Sequence, residues 1–230
     1  MTTFLLIHGA FQGGWIWKPF AAKLRAAGHA AYAPSLDGCG ERAHALRPGI
    51  TNETQADELA GLLHYEDLKD VVVVATSSGG MVATALAERA RDRIARLVFV
   101  DALALLDGEK IRDIVTRPSP VLTDIATGPK NDAMPARLKE NGVAPDLADW
   151  AGQRFTLHPI AVFYQPVVLK RFWDQTWNAS VVFCRRAENP GVAHQRRCAD
   201  KLKARWHELD TGHYPMLSTQ DALLKIVLEG

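Results

Sequence analysis

Val71-Val72-Val73-Val74-Ala75-Thr76-Ser77-Ser78-Gly79-Gly80-Met81 is an apolar run that ends at a serine with small residues at both second neighbours. A serine on a sharp strand-to-helix turn has a strained backbone, and bulky side chains two positions away would clash with it. Ala75 and Gly79 meet that need around Ser77, so the stretch reads as a nucleophile elbow. The alternative is a glycine-rich turn that caps a buried strand. Which of the two holds depends on what the rest of the chain supplies.

Two further segments complete a serine-based site. Phe4-Leu5-Leu6-Ile7-His8-Gly9-Ala10-Phe11-Gln12-Gly13-Gly14 is an early strand followed by a glycine-rich loop. Such a loop provides one backbone donor for an oxyanion, and the residue after the nucleophile provides the other. The candidate donors are therefore Ser78 and either Ala10 or Phe11. Near the C-terminus, Leu209-Asp210-Thr211-Gly212-His213-Tyr214-Pro215 puts a histidine on a Gly-His turn after a late strand, which makes His213 the candidate base.

Composition narrows the function classes. The chain has 230 residues, 47% apolar and 23% charged, with a formal charge of +1. That is the balance of one globular domain that can carry an insertion. No broad basic face for nucleic acid is implied, and no apolar run is long enough to cross a bilayer. The N-terminal residues enter a strand at once, without a basic leader, so a cytoplasmic protein is expected. Cys39, Cys184 and Cys198 are widely spaced with no C-x-x-C pair, which argues for reduced thiols rather than a disulfide framework or zinc. The histidines show no metal-ligand spacing, so no metal is expected.

Short apolar runs alternate with helical patterns, the signature of an α/β fold: a mostly parallel sheet with helices on both faces. Strands are expected near Thr3–His8, Ala30–Pro34, Asp70–Ala75, Ile94–Asp101, Ser180–Cys184 and Arg205–Leu209. Helices are expected over Trp17–Ala27, Thr54–Leu63, Gly79–Ala90 and Leu105–Val115, with Arg117-Pro118-Ser119-Pro120 breaking the last. The alternation stops between Ala102 and Trp177. A stretch of that length cannot be a structureless loop, so residues 105–176 are expected to form a mostly helical lid on a core of 1–104 and 177–230. Ligands of open α/β folds bind at the carboxyl edge of the sheet, which is where this lid would lie.

The motifs above, with Gly13-Gly14-Trp15, Gly38-Cys39-Gly40-Glu41-Arg42-Ala43-His44, Val100-Asp101-Ala102, His158-Pro159 and Gln165-Pro166, resemble the α/β-hydrolase superfamily. The likeness is to the branch of small bacterial esterases related to plant methyl-salicylate esterases and hydroxynitrile lyases, and it spans nearly the whole chain. It implies a cofactor-free enzyme with a serine nucleophile, a histidine base and an aspartate orienting the histidine. It also implies an acid just after the fifth core strand, and by spacing that position falls on Ala187. Glu188, one residue on, becomes the first choice of acid, Asp101 the fallback, and a site without an acid the third reading. Asp210 lies too close to His213 in sequence to serve. Two other departures are Ala75-Thr76 in place of Gly-His before the serine, and Gln12 in place of a histidine.

The expected activity is hydrolysis of a small carboxylic ester or lactone by Ser77, His213 and Glu188, with Ala10, Phe11 and Ser78 around the oxyanion. Gln12, Thr76, Phe163 and Tyr214 are the candidate substrate contacts. His8 is expected to hold the oxyanion loop, and Glu41, Arg42 and His44 to brace their own loop by ion pairing. The partner is a small organic molecule rather than nucleic acid or membrane, and a homodimer stays open. Two rivals remain: a hydroxynitrile lyase, disfavoured because Tyr214 rather than lysine follows His213, and a non-catalytic protein that binds a small ligand under the lid.

Overall fold

The structure, a computed structural model, describes residues 1–115, 121–129 and 131–229. The Arg117–Pro120 break lies outside the described residues. In chain order the strands are β1 (Thr3–Ile7), β2 (Ala30–Tyr32), β3 (Val71–Ser77), β4 (Ile94–Ala102), β5 (Val121–Leu122), β6 (Ala126–Gly128), β7 (His158–Pro159), β8 (Ala179–Cys184) and β9 (Arg205–Leu209). The helices are α1 (Lys18–Ala26), α2 (Asn52–Tyr65), α3 (Gly79–Arg89), α4 (Ile111–Ile114), α5 (Met134–Glu140), α6 (Pro145–Gly152), α7 (Ala161–Tyr164), α8 (Val192–Leu202), α9 (Pro215–Ser218) and α10 (Gln220–Leu228).

Six strands form one parallel sheet in the order β2-β1-β3-β4-β8-β9, with β3 and β4 at its centre. A central parallel strand is covered on both faces, which is why β3 is apolar throughout rather than alternating. Its side chains divide by parity. Val71, Val73 and Ala75 join the cluster under α2, α3 and α8, while Val72 and Val74 join the one under α1, α10 and the lid helices α5 and α6. The strand positions expected from the sequence match this sheet closely.

The segment between β4 and β8, expected as a mostly helical lid, is not purely helical. Between β4 and β8 it carries a three-stranded antiparallel sheet, β5-β6-β7, beside short helices. The helix expected over Leu105–Val115 shortens to α4. Gly108 takes φ of 81° and turns the chain, and the Leu106 N–H goes to the Glu109 carboxylate at 2.8 Å instead of into a helix.

One irregularity matters most for the site. Along the β3–β4 ladder Thr76 pairs with Val100 but Ser77 pairs with Ala102, so Asp101 is an extra residue with no partner on β3. It is a bulge, and its backbone is left-handed, with φ of 45°. A bulge breaks the up-down alternation and re-aims a side chain.

Candidate active site

Ser77 ends β3 with φ of 53°, and α3 starts two residues later. For a residue other than glycine that conformation is strained and persists only where the surroundings enforce it. The surroundings do so here. The Leu103 N–H donates to the Ser77 carbonyl at 2.8 Å. On the other side the turn packs directly against the end of β1. A methyl group added at Gly79 would run into the His8 carbonyl oxygen, and one at Gly9 would overlap the Ser77 Cβ.

His213 lies on the turn between β9 and α9, and its ring Nδ1 is 2.5 Å from Asp101 Oδ2. The Asp101 side chain is fully buried and that of His213 is 18% exposed. Burial pushes the Asp101 carboxyl above its usual range, and the hydrogen bond and charge of His213 pull it back. An Nδ1–H held by a carboxylate leaves the other ring nitrogen, Nε2, to accept a proton.

Asp101, and not Glu188, meets the histidine. Glu188 is exposed on the loop between β8 and α8, and the bulge in β4 is what brings the other carboxylate inward. Asp210 is turned outward and pairs with Arg185 and Arg186 at 3.7 and 3.4 Å.

The loop after β1 is held from several sides. His8 is fully buried, donates from Nδ1 to the Gly9 carbonyl at 2.8 Å and accepts the Leu36 N–H at Nε2, 2.9 Å away. Burial lowers its pKa to about 4, so it is neutral and acts as a clamp. Gln12, expected to face substrate, is buried, and its Oε1 accepts the Gly9 N–H at 3.0 Å. Phe11 takes φ of 68°, and residues of the segment between β4 and β8 secure it there. Its carbonyl accepts the Thr156 N–H at 2.9 Å, its N–H is directed to His158 Nδ1 at 3.4 Å, and its ring stacks on Phe163 with centroids 5.5 Å apart.

The other expected contacts fall as follows. Thr76 is buried, and its hydroxyl has no hydrogen-bond partner among the described residues. Tyr214 is buried, edge-on to His213 and to Phe155 with ring centroids 5.3 and 6.4 Å away. Glu41, Arg42 and His44 are structural. Arg42 forks onto Glu58 at 2.6 and 3.0 Å, Glu41 accepts the Ser35 hydroxyl at 2.6 Å, and His44 Nδ1 lies 3.1 Å from the Glu41 carbonyl.

Three residues between β4 and β8 that touch the site were not foreseen: Asn141, whose Oδ1 accepts the His213 N–H at 3.0 Å, and Thr156 and His158, which hold Phe11. Asn141-Gly142 reads as a turn in sequence, and nothing local ties it to residue 213.

An alpha/beta hydrolase family model matches residues 4–226. A carbendazim hydrolyzing esterase from Nocardioides sp. is 32% identical over 179 residues, covering 74% of each chain. Methylesterase 7 of Arabidopsis thaliana is 32% identical over 111 residues, 43% of this chain and 39% of that one. Among solved structures, an Arabidopsis methylesterase superposes with a TM-score of 0.81 at 18% identity, covering 99% of this chain and 98% of that one. An extracellular alpha/beta-hydrolase from Paenibacillus gives 0.77 at 21%, with coverage of 99% and 98%. With a left-handed serine on the central strand, a histidine bound to a buried aspartate, and a family match across nearly its whole length, the chain belongs to the alpha/beta hydrolase family.

Proposed function

We propose that this alpha/beta hydrolase cleaves a small carboxylic ester or lactone through an acyl-enzyme on Ser77. The observation that carries the reading is the His213–Asp101 hydrogen bond, made by a bulge that sits one residue from the Ser77 pairing position. His213 Nε2 takes the Ser77 proton as Oγ attacks the carbonyl carbon, and the carbonyl electron pair moves onto oxygen. Collapse of the tetrahedral adduct expels the alcohol, which receives the proton from His213. Water, deprotonated by the same nitrogen, then attacks the acyl-serine and releases the acid.

The oxyanion donors are the backbone N–H groups of Ser78 and Ala10. Phe11 was the other candidate, but its N–H is directed at His158. Ser78 is the N-cap of α3, whose positive dipole end adds to the same field. Phe163, stacked on the Phe11 ring, and Tyr214, edge-on to His213, are both buried in this structure and are the aromatic side chains proposed to meet the substrate, which suits an ester of an apolar organic acid. The names of the relatives, a carbendazim hydrolyzing esterase and methylesterases, support small esters. Gln12 and Thr76 are assigned no substrate contact, since one braces Gly9 and the other is buried at the end of β3. The hydrogen bond from His213 to the buried Asp101 supports an enzyme over a non-catalytic binder.

The test is labelling by a fluorophosphonate probe, read by intact mass, alongside turnover of p-nitrophenyl acetate. Labelling and turnover that vanish in Ser77→Ala support the proposal. A folded wild type that neither labels nor turns over sinks it.

A further inference from the structure

Asn141 lies in the lid, yet it reaches the histidine loop of the core. Its Oδ1 accepts the backbone N–H of His213 at 3.0 Å, and its Nδ2 donates to the Arg137 carbonyl at 2.8 Å. The second bond fixes which end of the amide faces His213. The side chain also stands on a rigid base. It follows α5 directly, its own N–H bonds the Arg137 carbonyl at 3.1 Å, and Gly142 takes φ of 82° while Val143 N–H returns to the Leu138 carbonyl at 3.0 Å. That is a left-handed helix stop with buried Leu138 and Val143 beneath it, a geometry with little freedom. The fit against the loop is close: a side chain at Gly212 would collide with the Asn141 amide.

We propose that Asn141 is a positioning residue for His213, acting through its backbone and making the lid part of the catalytic apparatus. The inference rests on the hydrolase reading above. Asp101 holds the imidazole at Nδ1 from the sheet, and Asn141 holds the main chain of the same residue from the opposite element. With two anchors on one residue, the direction of Nε2 toward Ser77 is set before substrate arrives. Thr211 and Ser218, whose hydroxyls are 2.7 Å apart, steady the flanks of the turn but do not touch His213 itself.

The experiment uses the full chain with p-nitrophenyl acetate, comparing wild type, Asn141→Ala, Asn141→Asp and the double variant Asn141→Ala/Gly212→Ala. Losing one neutral hydrogen bond that aims a base is expected to lower kcat about tenfold. KM should stay within about twofold, since the acceptor does not touch substrate. Asn141→Asp keeps an acceptor oxygen for the His213 N–H but loses the Nδ2 donor to the Arg137 carbonyl, so it should recover only part of kcat. The double variant refills the vacated space with the new methyl group, so it should regain thermal stability but not kcat. Recovery of kcat in the double variant would show that Asn141 only fills space, and wild-type kcat in Asn141→Ala would remove its role altogether. A wild type that is itself inactive would instead bring down the hydrolase reading on which the inference stands.

Discussion

Asp101 shows how one backbone irregularity can decide a chemical role. In a regular strand its side chain would follow the alternation of β4, whereas the unpaired position with φ of 45° aims it at His213. Asp101→Asn is expected to cut kcat about 10³–10⁴-fold, because the amide favours the wrong imidazole tautomer and leaves the imidazolium without its counter-charge. Glu188→Gln, an exposed change, should leave kcat within about twofold, and steady-state turnover of p-nitrophenyl acetate checks both. Ser77 and His213 could be read from the sequence because the elbow and the Gly-His turn are local patterns. The acid stands there only in second place, as the fallback Asp101 behind Glu188, because a bulge depends on how two strands register and has no local signature in Val100-Asp101-Ala102. Buried neutral histidines also predict a response to acid. His8 and His158 have pKa values lowered from 6.5 to about 4 and about 3, chiefly by burial. The unfolded chain therefore takes up protons below about pH 6.5 that the native state refuses. Their contribution is complete above that pH, falls as pH drops through the interval, and levels off below the native values. For His8 alone the loss is about 3 kcal/mol by pH 4. Urea unfolding between pH 7 and 3.5 should show a shallower decline in His158→Asn than in wild type. An identical slope would mean that His158 is not held neutral.

At the scale of elements, the long core strands were legible and the lid was not. A run such as Val71–Ala75 declares a buried strand whatever surrounds it, but β5, β6 and β7 have two or three residues each, too few to show any period. Their existence depends on pairing partners distant in sequence. The same holds for the contacts they make. β7 carries His158, which meets Phe11 across 147 positions. Two variants separate the bond from the bulk. His158→Leu fills the space without an acceptor and should lower kcat roughly tenfold, as the left-handed Phe11 loses its N–H partner. His158→Asn places an oxygen near the former Nδ1 and should retain most activity. Equal rates for the two would show that packing against Phe11 and Phe163 is all that counts.

At the scale of the molecule, a buried arginine ties the last helix to the sheet. Arg96, on β4, is 4% exposed and donates to the Val227 and Ile226 carbonyls and to the Ser180 hydroxyl, all at 3.1 Å. It satisfies carbonyls at the end of α10 that the helix cannot satisfy itself. Arg96→Ala would strand those groups and is expected to cost about 2–3 kcal/mol, a fall in Tm of roughly 5–10 °C. Thermal unfolding followed by circular dichroism measures it, and an unchanged Tm would mean that α10 is held by its apolar face alone.

The bulge reaches beyond catalysis into what the chain is free to become. With the carboxylate on β4, the proposed nucleophile and its proposed acid both lie within residues 71–102, one strand-helix-strand unit that could be grafted or shuffled as a single piece. The segment from Arg185 to Pro190 then carries no reacting group and serves as a brace: the Arg185 and Arg186 N–H groups bond the Leu209 and Thr211 carbonyls, both at 3.0 Å, on the strand and turn that lead to His213.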